Sequence, residues 1–245
     1  MSLRKALANT HRGLSNLGGP SPRAGDAPEG FAGFADRRAA GRQLAKLLQS
    51  YAGQDVLVIG IVRGGVAVAL EIARSLGADL DWIVARKVGA PTQPELALGA
   101  VTADGALFTN SALVRELGVS RWLFRLLADE QRAEARRHEQ RLRGRRPAPR
   151  LAGRTVFLVD DGLATGATMR AAIRSVRQAS PARLVVAVPV AASSACESLR
   201  AEADELICVL APEPFFGVGA HYADFSPVHD AEVQRLLAEG ARPAG

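Results

Sequence analysis

The sequence predicts an α/β protein built on a doubly wound, mostly parallel sheet flanked by helices. Two stretches carry that expectation. Val56 to Val62 and Val156 to Val159 are uninterrupted apolar runs rich in β-branched residues, the pattern of strands buried on both faces. Each run is followed at once by a short loop of small residues and then by an apolar helical period. Strands that alternate with helices in this way return to one sheet through right-handed crossovers.

Residues Ala8 to Gly33 are rich in Gly, Pro, Ser, Asn and Asp without apolar periodicity, so residues 1–33 read as a loosely attached arm and 34–245 as the folded domain. Leu44, Leu47, Leu48 and Tyr51 recur at helical spacing after an N-terminal Asp, which predicts a helix from Asp36 to Tyr51. The strand Val56 to Val62 follows, then Arg63-Gly64-Gly65 and a helix through Leu76. Glycines let backbone N–H groups approach an anion closely, and Arg63 adds a fixed cation with several donors. Leu80 to Ala85 reads as a strand ending in Arg86-Lys87. Val88 to Ala97 carries Gly89, two prolines and Glu95 with no period, and reads as a loop. Strands near Leu98 to Val101 and Ala106 to Thr109 precede a helix capped by Asn110.

A longer helix is expected from Val119 to Arg143, its first half packed through Val119, Trp122, Leu123, Leu126 and Leu127 and its charged second half projecting. Glu139 and Arg143 stand at the i, i+4 spacing that supports an exposed helix. Pro147 and Pro149 mark a linker to the next strand. Beyond it, Leu184 to Val188 is a strand, Ser194 with Glu197 fits a capping box, Leu206 to Leu210 is a last strand and Asp230 to Leu237 a closing helix. Phe215, Phe216, Tyr222 and Phe225 crowd the segment between Pro212 and Pro227. Two readings stand side by side for them: a loop folded on its own rings, or a platform for a planar base.

The chemistry concentrates after the second apolar run. Asp160 and Asp161 end the strand, Gly162-Leu163-Ala164-Thr165-Gly166-Ala167-Thr168 follows, and Met169, Ile173 and Val176 set out a helix with one apolar face. The first N–H groups of a helix lack intrahelical partners and carry the positive end of its dipole, so the turn from Thr165 to Thr168 suits a phosphate. Two carboxylates beside it accept hydrogen bonds from vicinal hydroxyls and attract a divalent cation. Acceptors for a diol next to donors for a phosphate describe a ribose 5-phosphate. Helix capping alone would need one acid, not a pair followed by Thr-Gly-x-Thr.

Four apolar residues, two acids, three residues and then Thr-Gly-x-Thr resemble the phosphoribosylpyrophosphate (PRPP) motif of type I phosphoribosyltransferases, and the resemblance extends over roughly Asp36 to Leu210. It implies a core sheet with a small hood or helical insertion, here the basic segment 119–150, with 211–245 as a further hood or closing segment. It also implies transfer of the 5-phosphoribosyl group from PRPP to a nitrogen acceptor, with Mg²⁺ as cofactor bound at Asp160 and Asp161. These two acids would bind the ribose hydroxyls and Gly162 to Thr168 would wrap the 5-phosphate. Arg63, Gly64 and Gly65 would form the pyrophosphate loop, with a non-proline cis peptide near Val62-Arg63. Arg86 and Lys87 would act on the leaving group, and Val88 to Ala97 would be the mobile loop that closes over the substrate. Ala164 stands where hypoxanthine and guanine enzymes carry an acid that takes the proton of the base, and Glu95 is a weak substitute. The whole chain, with Arg-Lys-Val-Gly-Ala-Pro and Asp224-Phe225-Ser226, resembles a group of phosphoribosyltransferases without an assigned acceptor.

Composition narrows the alternatives. With 245 residues, 48% hydrophobic and 23% charged, the chain is long enough for one α/β domain with an added subdomain. Its longest apolar run, Leu184 to Ala192, contains Pro189 and is only nine residues long, too short for a membrane span. No signal-peptide core follows Arg4 and Lys5, and Cys196 and Cys208 read as reduced thiols, which together predict a cytoplasmic protein. Between Arg132 and Arg150, eight arginines against two glutamates account for the whole net charge of +6. The basicity is local, so a nucleic-acid partner is disfavoured over the chain as a whole, although a PRPP-sensing regulator binding nucleic acid through this helix is the rival reading. A solvated or subunit-contact surface, as in a homodimer, is the other use of the same arginines.

Overall fold

The two apolar runs become neighbours. β1 (Val56–Ile61) and β6 (Thr155–Val159) pair in parallel, with Val58 opposite Phe157 and Gly60 opposite Val159. The structure, a computed structural model, describes residues 33–240, so nearly all of the expected N-terminal arm lies outside the described residues. β2 (Asp79–Ile83) flanks β1, while β7 (Arg183–Val190) and β8 (Glu205–Leu210) extend the sheet beyond β6 in the order β2-β1-β6-β7-β8. Every pairing in it is parallel.

Side chains alternate between the faces of a strand, and each face meets its own helices. Val58, Phe157 and Val159 pack with α1 (Arg37–Leu47), α2 (Gly64–Leu76) and α7 (Asp230–Glu239). Leu57, Ile59, Val156 and Leu158 pack with α5 (Ala167–Gln178) and α6 (Ser193–Leu199). Burial on both faces is why these strands read as continuous apolar runs. The chain leaves β1 toward β2 on one side, and β6 lies on the other. The strand order therefore reverses between β1 and β6, the crevice where open α/β sheets bind ligands.

A second, antiparallel sheet of β3 (Ala85–Ala90), β4 (Gln93–Thr102) and β5 (Leu107–Thr109) forms the hood. Val88, Leu98 and Val101 pack beneath Phe124 and Ala128 of α4 (Arg121–Arg143), with Leu113 and Val114 of α3 (Ser111–Glu116). Ala97 and Ala100 meet Ala167 and Ala171, so the hood rests on the helix that follows the acidic pair.

Several expectations need correction. The helix expected from Asp36 to Tyr51 ends at Leu47 and gives way to a 3₁₀ turn, although Asp36 caps it by accepting from the Ala39 N–H at 2.6 Å. Arg86 and Lys87 lie inside β3 rather than at the end of β2, because the chain changes sheets at Val84. The segment 88–97 is a hairpin, not an unpaired loop: Val88 pairs with Gly99, Gly89 with Ala97 and Ala90 with Gln93, with register shifts on either side of Gly89. In α4, Trp122 is 72% exposed and Leu126 43%, while Ala135, His138 and Leu142 in the charged half are buried. Both halves therefore pack: Phe124 and Ala128 bury the first, and the half that composition marked as projecting is buried as well. The Glu139–Arg143 pair exists, but it is part-buried, and Arg143 lies over the Trp82 ring at 4.0 Å. α6 starts at Ser193 after Ala192, with no side-chain cap from Ser194. Asn110, by contrast, caps α3 as expected.

The aromatic segment is mostly folded on itself. Tyr222 lies 5.5 Å from Phe34 and 5.0 Å from Phe225 between ring centroids, and Phe216 alone of the four points outward, 81% exposed. Both cysteines are free, and burial pushes the Cys208 thiol up to about 12. Among the described residues no helix is long and apolar enough to cross a membrane.

Candidate active site

Two βα loops meet at the point where the strand order reverses. The loop after β6 carries Asp160 and Asp161; Arg63 ends the loop after β1, Gly64 and Gly65 open α2 in place of the loop expected there, and the Val62–Arg63 peptide is cis. The two corners touch through these glycines. A methyl group on Gly65 would lie 2.5 Å from the Val159 carbonyl oxygen and 2.9 Å from the Asp160 Cα, and one on Gly64 would lie 1.9 Å from Asp161 Oδ2. Both glycines are needed first because the acidic strand end occupies the space a side chain would fill.

The acidic pair is half-buried. Asp160 Oδ1 accepts the Asp161 N–H at 2.9 Å, and Asp161 Oδ2 accepts Arg37 Nε at 2.8 Å. Burial pushes the Asp160 carboxyl well above the usual carboxylate range, and the adjacent Asp161 charge adds to the effect. Burial raises Asp161 too, while the hydrogen bond and charge of Arg37 pull it back. Below the pair, the Tyr222 hydroxyl donates to the Asp161 carbonyl oxygen at 2.6 Å, and its own proton is held tightly by burial and by the Asp161 charge.

From Asp161 the chain crosses to α5. Gly162 faces Val218, with 2.5 Å between its added Cβ and Val218 Cγ1. Leu163 is an anchor: its side chain is 1% exposed, its N–H donates to Val190 O and its carbonyl accepts from Ala192 N, both at 2.9 Å. This pins the loop to the end of β7 and leaves Ala164 and Thr165 exposed at its crest. Gly166 takes φ 69°, a left-handed conformation that favours glycine, and opens α5. The first N–H groups of that helix have no intrahelical partner, and the Ala167 N–H reaches the crest, donating to Thr165 Oγ1 at 3.5 Å.

The cations are distributed differently from the sequence expectation. Arg63 donates from Nε to Asp230 Oδ1 at 2.9 Å, and its side chain is half-exposed. Asp230 also pairs with His138 Nε2 at 2.9 Å, so α4 and α7 together hold Arg63. Arg86 donates to Gln131 Oε1 at 2.9 Å, and Lys87 to the Glu95 carbonyl oxygen at 3.2 Å. Both are engaged within the hood. They remain close in the chain to the site edge, because Ile83, at the end of β2, accepts from Val62 N at 3.0 Å. Sequence reasoning missed Arg37, Asp230 and His138. Arg37 was visible only as one of two arginines following a helix-capping Asp, and its partner lies 124 residues away.

Among the described residues, no group of three or more His, Cys, Asp or Glu is arranged to hold a metal ion. The acidic pair offers two carboxylates, each with one oxygen already engaged. That donor set is too small for a protein cage, and it fits a Mg²⁺ that keeps several waters and arrives on substrate phosphates.

Similarity to known proteins agrees with the geometry. The phosphoribosyl transferase domain model matches residues 35–224. Proteins of two Mycobacterium tuberculosis strains, each named "Putative phosphoribosyl transferase", are 41% identical over 204 residues, covering 83% of this chain and 46% of theirs, so the chain spans about half the length of these relatives. The crystal structure of TT1426 from Thermus thermophilus superposes with a TM-score of 0.71 at 45% identity, covering 85% of this chain and 99% of that one. The chain belongs to the phosphoribosyl transferase domain family.

Proposed function

We propose that this chain transfers the 5-phosphoribosyl group of PRPP to a nitrogen acceptor, a nucleobase or related heterocycle, with release of pyrophosphate. The observation that carries the reading is the contact between two βα corners at the reversal of strand order, one acidic and one basic, with the opening of α5 beside them. Asp160 and Asp161 accept the ribose 2- and 3-hydroxyls, and the turn Gly162 to Thr168 receives the 5-phosphate. As the C1–oxygen bond to pyrophosphate breaks, positive charge grows on the ribose ring and negative charge on the leaving group. Fixed carboxylates near the first and cations near the second stabilise that separation more than they stabilise bound substrate.

Arg63 is the best-placed cation. Its Nε is held by Asp230, which leaves the terminal N–H groups to grip an anion. Arg86 and Lys87 would add to it from the hood. Mg²⁺, carried by the pyrophosphate, would neutralise its charge. The tip of the β3–β4 hairpin, Pro91 to Glu95, is exposed and serves as the lid in this reading. A cytoplasmic setting, in which both thiols stay reduced, goes with it.

The nucleic-acid reading of the arginine run is not favoured. Arg132 and Arg136 donate to the carbonyls of Asp104 and Ala103, Arg143 binds Asp81, and Arg146 donates to the Leu80 carbonyl. Four of the eight arginines are thus spent on attaching α4 and the segment after it to the core and hood. The deciding experiment is calorimetric titration with Mg²⁺-PRPP, followed by pyrophosphate release across a panel of nitrogen heterocycles. Binding should be lost in Asp160→Asn/Asp161→Asn with the fold retained. Unchanged affinity in that double variant would remove the assignment.

A further inference from the structure

The cation closest to the acidic pair is neither in the loop after β1 nor in the hood. Arg37, the first residue of α1, lies against Asp161 and is held on three sides. Nε bonds Asp161 Oδ2 at 2.8 Å, one terminal nitrogen donates to the Ser226 carbonyl oxygen at 2.9 Å, and the guanidinium carbon lies 3.9 Å above the Phe225 ring centroid. Its side chain is only 12% exposed.

The backbone supports the same placement. Phe34 N donates to His221 O, Ala223 N to Phe34 O and Asp224 N to Ala35 O, at 2.8 to 2.9 Å, so the strand of chain leading into α1 is stitched to the segment that carries Phe225 and Ser226. Arginine's planar fork suits a fixed arrangement of this kind, since carboxylate, carbonyl and aromatic face are each met by a different part of it. A side chain so restrained is built to hold Asp161, not to swing out to a ligand.

Two consequences follow. Asp161 keeps a single orientation, with Oδ1 left to accept from a hydroxyl. The charge of the acidic pair is also halved locally, because one carboxylate is already matched by a guanidinium. A divalent cation approaching the pair without phosphates would meet two half-used carboxylates and a fixed positive neighbour.

We propose that Arg37 is a positioning residue of this site: it holds Asp161 as a hydrogen-bond acceptor for a substrate hydroxyl and keeps the acidic pair from taking up a divalent cation before the substrate arrives. The metal requirement then belongs to the pyrophosphate-bearing substrate, not to the free protein. This deepens the proposed function and rests on it only for the identity of the diol.

The test is a Mn²⁺ titration of the full chain without PRPP, read by electron paramagnetic resonance of free Mn²⁺. An adjacent opposite charge shifts a carboxylate's affinity for a proton by roughly 1–3 log units, so Arg37→Gln should bind Mn²⁺ at least about tenfold more tightly than the unsubstituted chain. The gain should vanish in Arg37→Gln/Asp161→Asn. Arg37→Lys keeps the charge and should stay within about threefold of the unsubstituted chain, which keeps the test decisive if Arg37→Gln does not fold. Equal Mn²⁺ affinity in Arg37→Gln, a gain that survives removal of Asp161, or a comparable gain in Arg37→Lys would overturn the proposal. So would loss of PRPP affinity in Arg37→Gln with Mn²⁺ affinity unchanged, since Arg37 would then be a substrate ligand. Because the titration contains no PRPP, its outcome is independent of whether the chain uses PRPP.

Discussion

Gly64 and Asp161 share one space: a methyl group on the first would stand 1.9 Å from Oδ2 of the second, the oxygen that Arg37 holds. Gly64→Ala therefore has to push the carboxylate off Arg37. The displaced atom is the end of a side chain, so the fold should survive with a modest drop in melting temperature while PRPP affinity falls by about tenfold or more, on the scale of a lost charge-assisted hydrogen bond. Gly65→Ala meets backbone instead, 2.5 Å from Val159 O. It should cost about 1–3 kcal/mol in chemical denaturation, the range for overpacking a fixed interior. Equal stability for the two variants would contradict this distinction.

The acidic pair predicts a pH dependence of stability. Burial raises the folded-state pKa of Asp160 above its unfolded value. Both states are protonated at low pH, so the burial cost is absent there. As pH rises through the ordinary range near about 3.9, the unfolded chain ionises first and the fold loses stability until the raised pKa is passed. Asp160→Asn keeps an oxygen that can accept from Asp161 N and carries no charge. Its melting temperature should exceed that of the unsubstituted chain at pH 7, and the difference should shrink as pH falls through the raised pKa toward the ordinary carboxylate range, below which it is gone. A constant difference across pH would mean that Asp160 is not desolvated.

Much of this site was legible because the physics that builds it is local. A buried parallel strand must be apolar throughout, and a strand end, small-residue turn and helix start are contiguous in the chain, so the span from Thr155 to Met169 announced both the fold and the place where the acidic pair meets the start of α5. The Arg63-Gly64-Gly65 stretch was visible for the same reason. What could not be read is long-range. Arg37 to Asp161, Arg63 to Asp230 and Tyr222 to the Asp161 carbonyl join residues that only the finished fold brings together. Arg86 and Lys87 were assigned to a strand end because nothing local marks the change of sheet at Val84. The charged half of α4 misled for a related reason: long arginine stems cover apolar surface while their heads find carbonyls and carboxylates, so composition alone makes a packed face look solvated.

Arg63 and Asp230 can be separated by their different burdens. Arg63 is half-exposed, and its pair with Asp230 is a surface one, which contributes little to stability. Arg63→Gln should leave the melting temperature nearly unchanged and weaken pyrophosphate binding by about tenfold or more. Asp230→Asn leaves the buried His138 without its carboxylate, and should cost roughly 1–3 kcal/mol as well as weakening pyrophosphate. Competition by pyrophosphate against PRPP, measured beside denaturation curves, distinguishes the two patterns.

The hairpin 85–102 carries the expectation of a lid, now narrowed to its tip. Ladder amides at Val88 and Gly99 belong to regular pairing and should be protected in the free chain, whereas amides between Thr92 and Glu95 should exchange rapidly and slow when Mg²⁺-PRPP and an acceptor are both present. Deleting Thr92 to Glu95 should reduce turnover far more than PRPP affinity. Rapid exchange along the whole hairpin would restore the picture of an unpaired loop, and turnover unaffected by the deletion would remove the lid from the mechanism.

The arginines of α4 divide into those that hold the fold and those that do not. Arg143 stacks on Trp82, pairs with Glu139 and donates to the buried Asp81 at 3.1 Å, whose own Oδ1 accepts the Trp82 N–H at 2.7 Å. Replacing it by Gln leaves Asp81, 2% exposed, without its counter-charge. Breaking a buried pair from one side costs about 3–5 kcal/mol, and the partial exposure of Arg143 argues for the lower end. Burial already pushes the Glu139 carboxyl upward against the pull of Arg143, so the deficit of Arg143→Gln should shrink as pH falls and the stranded carboxylates take up protons. Arg137 forms only an exposed pair with Glu134 one turn away, and Arg137→Gln should leave stability unchanged within error. Denaturation of both variants at pH 5 and pH 8 checks the contrast. If both were silent at both pH values, α4 would be an appended basic surface after all, and a nucleic-acid partner for it would gain ground.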